Sequence, residues 1–463
     1  MIQSNKLSEQ QYAKNFSDIH PPFETADAAL VEANRCLFCY DAPCMKSCPT
    51  SIDVPKFIRQ ITTDNLKGSA HTILVSNIMG AGCSKVCPVE KLCEGACVYN
   101  FMEEEPIAIA KLQRYSTEKA LTNNWQLFKR KNSTGKKVAI VGAGPAGLSC
   151  AHMLSREGVD VTIYEREKVG GGLMTYGIAA YKVTSQFCKE EVDYILSIGG
   201  IQIKYEKELG RNIELAELQN NYDAVYLAFG VGLARQLQIP GEDLIGVVDA
   251  INFIYEIRNN GYNNVAVGNK VAVIGMGMTA IDAATQAKRL GAEEVTILYR
   301  RTHEEMPCTE VELNIAKLDG CKIIWLAAPL EVIGFEGKVI GLKSAVMKLG
   351  KPDASGRRSP EPTGEQFIIE VDMVIKAAGQ MPFEWLINNN NIENNDGKVA
   401  VQNNTLTNLK GIFSGGDCVN GGKEVVDAVQ AGKDGAEEIL KYIFVNKNSS
   451  RKEKKEQRNK RYS

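Results

Sequence analysis

Eight of the thirteen cysteines fall between positions 36 and 97, in two runs dense enough to hold metal: Cys36, Cys39, Cys44 and Cys48, then Cys83, Cys87, Cys93 and Cys97. The first reads CLFCYDAPCMKSCP and the second CSKVCPVEKLCEGAC, and in each a proline follows directly after one cysteine, Cys48 and Cys87. Closely spaced thiolates with a Cys-Pro step are the pattern that carries iron–sulfur clusters, and one run can supply ligands to two clusters. Soft thiolate ligands suit zinc as well. A zinc ribbon, however, repeats CxxC twice, about 15 to 20 residues apart, and only Cys36 and Cys39 have that form. A disulfide framework is the weakest reading, because the start MIQSNKLSEQQYAKNF has no apolar secretory core and thirteen is an odd count. Cysteine usage therefore points to clusters, in a cytoplasmic protein.

The second chemistry lies in a strand, glycine turn, helix, strand pattern that occurs twice, as KKVAIVGAGPAGLSCAHMLSREGVDVTIYERE and as KVAVIGMGMTAIDAATQAKRLGAEEVTILYRR. Each is the fingerprint of a dinucleotide-binding unit. In the first, Gly142, Gly144 and Gly147 allow the tight turn, the approach of a pyrophosphate and close helix–strand packing, and the helix start favours the phosphate charge. Glu165, at the end of the following strand, suits the ribose hydroxyls of FAD or NAD and repels a 2′-phosphate. In the second, Gly275, Gly277 and Ala280 take the same positions, but Arg300 and Arg301 stand where the acid would be. Arginine's planar fork suits phosphate, so NADPH is the expected ligand there, with NADH the other candidate; the bland reading of the pair is ordinary surface arginines. Two more glycine-rich stretches, VGGGLMTYGIAAYKV with Gly171 and Gly172, and GIFSGGDCVNGGKEV with Asp417, read as flavin contacts.

These residues need three bodies to position them, and 463 residues supply about that many. Residues 1–122 carry apolar side chains at helical intervals and read as an α-helical domain around the metal sites. A polar and basic linker follows at 123–137. An FAD-binding domain is expected over 138–243 and 380–445, with an NAD(P)H-binding domain over 244–379 inserted in it, giving an α plus α/β fold of one helical iron–sulfur domain and two Rossmann-like domains. Residues 350–365 read as a hairpin tip, and 446–463 as a disordered, solvated basic tail. With 54 basic and 56 acidic residues there is no overall field for nucleic acid or an anionic membrane, and no run of about 20 apolar residues crosses one. His71, His152 and His303 read as packing or surface residues rather than chemistry.

With RCLFCYDAPCMKSCPTSIDVPKFI, CPVEKLCEGAC and PIAIAKLQRY, the chain from about Arg35 to about Tyr442 resembles the FAD and iron–sulfur half of dihydropyrimidine dehydrogenase, especially its separate bacterial subunit. It is more distantly similar to the glutamate synthase small subunit. The resemblance implies one 4Fe-4S cluster on Cys36, Cys39, Cys44 and Cys97 and another on Cys48, Cys87, Cys93 and the side chain of Gln113, with Cys83 spare. It also implies FAD on Gly142, Gly144, Gly147, Glu165, Gly171, Gly172 and Asp417, and NADPH on Gly275, Gly277, Ala280, Arg300 and Arg301. One departure is visible: the loop that often reads GIP in that family is Gly177, Ile178, Ala179 here.

What the resemblance implies for function is hydride transfer from NADPH to FAD and electron transfer through the two clusters to a partner subunit. That partner would carry FMN and interconvert uracil or thymine and their dihydro forms. Hydride transfer needs no side-chain acid or base, so no catalytic residue is named. Two other functions remain open: an electron donor to a glutamine-cleaving large subunit, as in glutamate synthase, and a non-enzymatic zinc interaction module.

Overall fold

The computed structural model describes the backbone of residues 2–232, 234–352 and 358–459 and the side chains as far as 444. The chain divides into two compact units, Met1–Ile19 with Thr175–Ser185 and Gly232–Met381, and His20–Met174 with Gln186–Val231 and Pro382–Ser463.

The larger unit begins with helices. In Val54–Thr62 the buried residues Val54, Phe57, Ile58 and Ile61 recur at i, i+3, i+4 and i+7, which turns one face inward. Asp53 caps this helix by accepting from the Lys56 amide, and Asn65 caps Leu66–Ser76 in the same way at Gly68. Together with Ile73, Ile109 and Leu112, that face forms a core into which several of the cysteines pack. The expected linker holds no regular element before Lys137, but it is pinned down: Phe128 is buried edge-on against His152, with Arg156 over its ring.

From Lys137 the same unit builds a five-stranded parallel sheet in the order Ile412–Ser414, Ala224–Leu227, Lys137–Val141, Asp160–Tyr164, Ile201–Lys204. The last helix, Val425–Asn459, crosses Pro145–Arg156 so closely that a Cβ on Gly432 would lie 2.2 Å from the Ala146 carbonyl. The tail expected to be disordered from 446 continues this helix to Asn459; its Lys, Glu, Arg and Gln residues are good helix formers and no Gly or Pro interrupts them. Positions 460–463 of that expectation lie outside the described residues.

The smaller unit holds a second five-stranded parallel sheet, ordered Val247–Asp249, Met373–Lys376, Lys270–Ile274, Glu294–Tyr299, Lys322–Trp325. An antiparallel sheet of Ala327–Phe335, Lys338–Pro352 and Arg358–Glu370 accompanies it. Of the segment expected as a hairpin tip, 350–352 and 358–365 belong to the last two of these strands, paired antiparallel as far as Pro352 with Arg358, and positions 353–357 lie outside the described residues.

Two boundaries differ from expectation. Residues 1–19 do not belong with the helical domain: Gln3 bridges Val267, the helix Glu9–Asn15 follows, and Phe16 stacks on Tyr262 with ring centroids 4.0 Å apart. Tyr12 and Phe16, one helical turn apart, must bury their rings, and the smaller unit's core receives them. The loop after Gly172 is also divided, since Thr175–Ser185 belongs to the smaller unit.

Candidate functional site

The first glycine turn follows strand Lys137–Val141. Gly142 has φ +104°, and a Cβ there would lie 2.3 Å from the Ala228 carbonyl. Gly147 carries no Cβ because one would sit 2.0 Å from the Gly142 oxygen. Gly144 is different in kind: the nearest atom to its would-be Cβ is the Gly172 Cα at 3.9 Å, so the space before it is left by the protein itself. Helix Pro145–Arg156 starts there with its first amides directed into that space. Gly171 donates to the Ala143 carbonyl at 2.7 Å, which folds the Gly171–Gly172 loop over the turn.

Glu165, buried at the end of strand Asp160–Tyr164, accepts from the Ala143 amide at 2.6 Å and the Glu167 amide at 2.9 Å. Burial pushes its carboxyl above the usual range, against the pull of those two amides. Asp417 follows Gly416, whose would-be Cβ lies 2.9 Å from that of Ala146 in the same helix start, and burial raises its carboxyl too. The structure thus gathers Gly142, Gly144, Gly147, Glu165, Gly171, Gly172 and Asp417 round one helix N-terminus. The fit to a dinucleotide is good: open space at the second glycine, helix amides for phosphate and a carboxylate at the ribose position.

The second turn repeats the first. Gly275 has φ +135° with a would-be Cβ 2.4 Å from the Ala377 carbonyl, Gly277 has nothing within 4 Å, and Ala280 is fully buried in helix Met278–Arg289. The arginine pair divides. Arg300 is exposed beyond strand Glu294–Tyr299, whereas Arg301 is buried and donates from Nε to the Arg358 carbonyl at 3.2 Å. Arg300 is therefore the member placed to meet a phosphate in solution, and Arg301 also secures the long hairpin.

Four thiols, Cys36, Cys39, Cys44 and Cys97, line one pocket together with Ile58 and Ile109. Burial pushes the Cys44 thiol up to about 12, with Cys36, Cys97 and Cys39 close enough to add to the effect. A second gathering joins Cys87 to Cys83, Cys93 and Cys48, all of which raise the Cys87 thiol, its hydrogen bond to Cys83 most. The thiols therefore group across the two runs rather than within them. Gln113 is buried on helix Ile109–Thr122, its Nε2 donating to the Gly80 carbonyl at 2.6 Å, while Cys83 accepts from Asn77 at 3.2 Å. Gln113 thus reaches the start of the helix Gly80–Val86, and Cys83 lies on that helix beside Cys87. Thiols spread round a pocket fit a cluster.

Residues 136–432, more than half of the chain, match the pyridine nucleotide-disulphide oxidoreductase family. The chain belongs to that family. In this pyridine nucleotide-disulphide oxidoreductase, residues 12–125 match a second family, described as dihydropyrimidine dehydrogenase domain II, 4Fe-4S cluster. The glutamate synthase [NADPH] small chain of Escherichia coli K12 is 33% identical over 449 residues, covering 93% of this chain and 94% of that one. The NAD-dependent dihydropyrimidine dehydrogenase subunit PreT of Salmonella typhimurium LT2 is 34% identical over 430 residues, covering 93% and 98%. The solved structure of Mycobacterium tuberculosis FprA in complex with NADPH superposes with a TM-score of 0.58 at 21% identity, over 68% of this chain and 86% of that one, which is a likeness of fold. The chain is an NAD(P)H-dependent flavin and iron–sulfur oxidoreductase of this family, with the helical domain before two Rossmann-like domains, the second inserted in the first.

Several residues of this oxidoreductase escaped sequence reasoning. Glu191 is fully buried on helix Ser185–Leu196, where it accepts from the Gly82 amide at 2.7 Å and leaves Oε2 with no hydrogen-bond partner. The signal was present: Cys188, Glu191, Val192 and Ile195 share one apolar face at helical spacing. Lys182 is buried between Asp282, at 2.6 Å, and Glu312, at 2.7 Å, a triad no spacing announces. The histidines have packing and surface roles. Burial and Arg156 lower His152 to about 3, His71 lies against Phe128, and His303 is exposed beside Glu310. No helix of the described residues is long and apolar enough to cross a membrane.

Proposed function

We propose that this chain is the electron-input subunit of a hetero-oligomeric dihydropyrimidine dehydrogenase, loaded with FAD and two 4Fe-4S clusters, that oxidises NADPH and delivers electrons to an FMN-containing partner interconverting uracil or thymine and their 5,6-dihydro forms. When bound, the flavin would accept the hydride pair and the clusters would carry single electrons.

The chain's own residues bind and orient. Gly144 and the helix start behind it would hold the FAD pyrophosphate, with Glu165 at the ribose and Asp417, Gly171 and Gly172 closing round it. Gly277 leaves the corresponding space for the nicotinamide nucleotide, Ala280 packs its helix, and Arg300, backed by Arg301, favours a 2′-phosphate. NADH is the alternative ligand. Cys36, Cys39, Cys44 and Cys97 would hold one cluster, and Cys48, Cys87 and Cys93 with Gln113 the other.

The observation that carries this reading is the grouping of the thiols across the two runs, in the same compact unit as the first glycine turn. The match of residues 12–125 to dihydropyrimidine dehydrogenase domain II supports the pyrimidine assignment. No disulfide joins any of the thirteen cysteines, which suits a cytoplasmic setting. The second reading, an electron donor to a glutamine-cleaving large subunit, is favoured by the full-length likeness to the glutamate synthase small chain.

The test is reconstitution. Alone, the chain should oxidise NADPH with an artificial acceptor and be inert towards uracil. Mixed with a pyrimidine-reducing FMN subunit, it should make NADPH oxidation depend on uracil. Uracil turnover by the chain alone refutes the proposal, and stimulation only by a glutamine-cleaving subunit selects the second reading.

A further inference from the structure

The surface over the Cys36–Cys44 loop is unusually apolar. Tyr40 and Phe101 are almost wholly exposed, at 106% and 84%, and Val31, Leu37 and Met102 are at least half exposed. Single exposed apolar residues need no explanation, whereas a group of them marks an interaction site. These form a group because the two segments that carry them are tied together. Arg35 donates to the Glu105 carbonyl at 2.6 Å and lies over the Tyr99 ring, while the Tyr99 hydroxyl donates to the Arg35 carbonyl at 2.8 Å. Leu37, one of the exposed group, and Tyr99, two residues before Phe101, also line the pocket shared by Cys36, Cys39 and Cys97, which sets the group beside those thiols.

The charge at its edge selects the occupant. Asp41, Glu103, Glu104 and Glu105 are exposed there, against two exposed cations, Lys46 and Arg59, the latter over the Phe38 ring, so carboxylates prevail. An anionic membrane surface is repelled by such a rim. A second copy of the chain would set the same carboxylates against its own in a self-complementary contact. What fits is a protein with an apolar centre and a basic rim, enriched in the aromatic and Met contacts typical of interface cores.

We propose that this face is the docking surface for the electron-accepting partner, which binds with a basic rim round an apolar centre and takes electrons at the Cys36, Cys39, Cys44 and Cys97 pocket. The proposal rests on the reading above that electrons leave through the cysteine sites, and it does not depend on the partner's substrate.

The holoprotein, loaded with flavin and iron, is assayed with NADPH and two acceptors: cytochrome c, a basic one-electron protein, and menadione, a small neutral molecule. Charge reversal at Glu103, Glu104 and Glu105 to Lys should lower kcat/KM for cytochrome c about tenfold at low salt and remove most of its salt dependence. The menadione rate, iron and flavin should be unchanged. Leu37→Ser with Phe101→Ser should weaken cytochrome c reduction at all salt concentrations. Glu104→Lys alone, on an exposed side chain, gives the same direction at smaller size if the multiple variants lose iron. Cytochrome c rates equal to those of the native chain in these variants overturn the proposal. So does a native dimer, in sedimentation, that the Leu37 and Phe101 changes dissociate, because the face would then be a self-contact. Failure of uracil turnover on reconstitution bears on the pyrimidine partner alone and leaves this result standing.

Discussion

Glu191→Gln should make the protein less sensitive to alkaline pH, by an amount the structure sets. The carboxyl lies wholly inside the larger unit, against the first turn of helix Gly80–Val86. Burial raises it from 4.5 to about 7, while the Gly82 and Ala81 amides and Lys85 pull the other way. The folded chain therefore holds this proton more tightly than the unfolded chain. The stability from the protonated form is fully present below about 4.5 and is lost as pH rises through about 7, with no further change above. The span from 4.5 to about 7, at about 1.4 kcal/mol per pH unit, amounts to about 3 kcal/mol. Gln keeps the acceptor for the Gly82 amide and never ionises, but its NH2 takes the place of an oxygen that has no partner, at a cost of about 1 kcal/mol. At pH 5 about 0.7 kcal/mol of the native advantage is already gone, so the variant should be nearly as stable as the native chain there and about 2 kcal/mol more stable at pH 8. Urea unfolding followed by far-ultraviolet circular dichroism at the two pH values measures this, and every other titrating group cancels in the comparison. Parallel midpoints for both proteins from pH 5 to pH 8 would refute the reasoning.

Gly144→Ala should fold normally, since its Cβ meets no protein atom within 3.8 Å, yet purify with little FAD, whereas Gly277→Ala should retain FAD and raise KM for NADPH about tenfold or more; flavin absorbance and steady-state kinetics separate the two. Gln113→Ala should perturb one cluster's electron paramagnetic resonance spectrum while Cys83→Ser leaves both intact; the opposite pattern would make Cys83 the ligand, a role its position beside Cys87 permits. Lys182→Met leaves Asp282 and Glu312 buried without their cation and should destabilise the smaller unit by about 3 to 5 kcal/mol at neutral pH, read from urea midpoints, with part of the loss recovered in acid as the carboxyls protonate.

The glycine turns were legible because their demands are local: a positive φ, a carbonyl 2.3 or 2.4 Å away and an empty cradle each follow from a few consecutive residues. Insertion of one Rossmann-like domain in the other was legible too, from the repeat and the late GGD segment. The cysteine grouping was not legible from spacing. Cys97 is brought to Cys36 by contacts far apart in sequence, among them Arg35 to Glu105 and the Ala108 amide to Glu32. Arg300 and Arg301 look alike in a sequence, and only the position of Arg358 separates them. Tyr12 and Phe16 announce a buried helix face without saying whose core receives it. Glu191 gave no signal as a buried group because a carboxylate on an apolar helix face contradicts the usual cost of burial.

The chain passes between the two units at 19/20, 174/175, 185/186, 231/232 and 381/382. Neither unit is a continuous stretch of polypeptide, so neither can be exchanged by joining gene fragments end to end. Expressing residues 1–122 by themselves would carry off the segment in which Gln3 bridges Val267 and Phe16 stacks on Tyr262. Such a fragment would bring a stray aromatic helix with it and leave the remainder with an uncovered apolar seam. A relative that acquired this pair of units by recombination would have had to take it whole, from before the helix Glu9–Asn15 to beyond strand Ile412–Ser414.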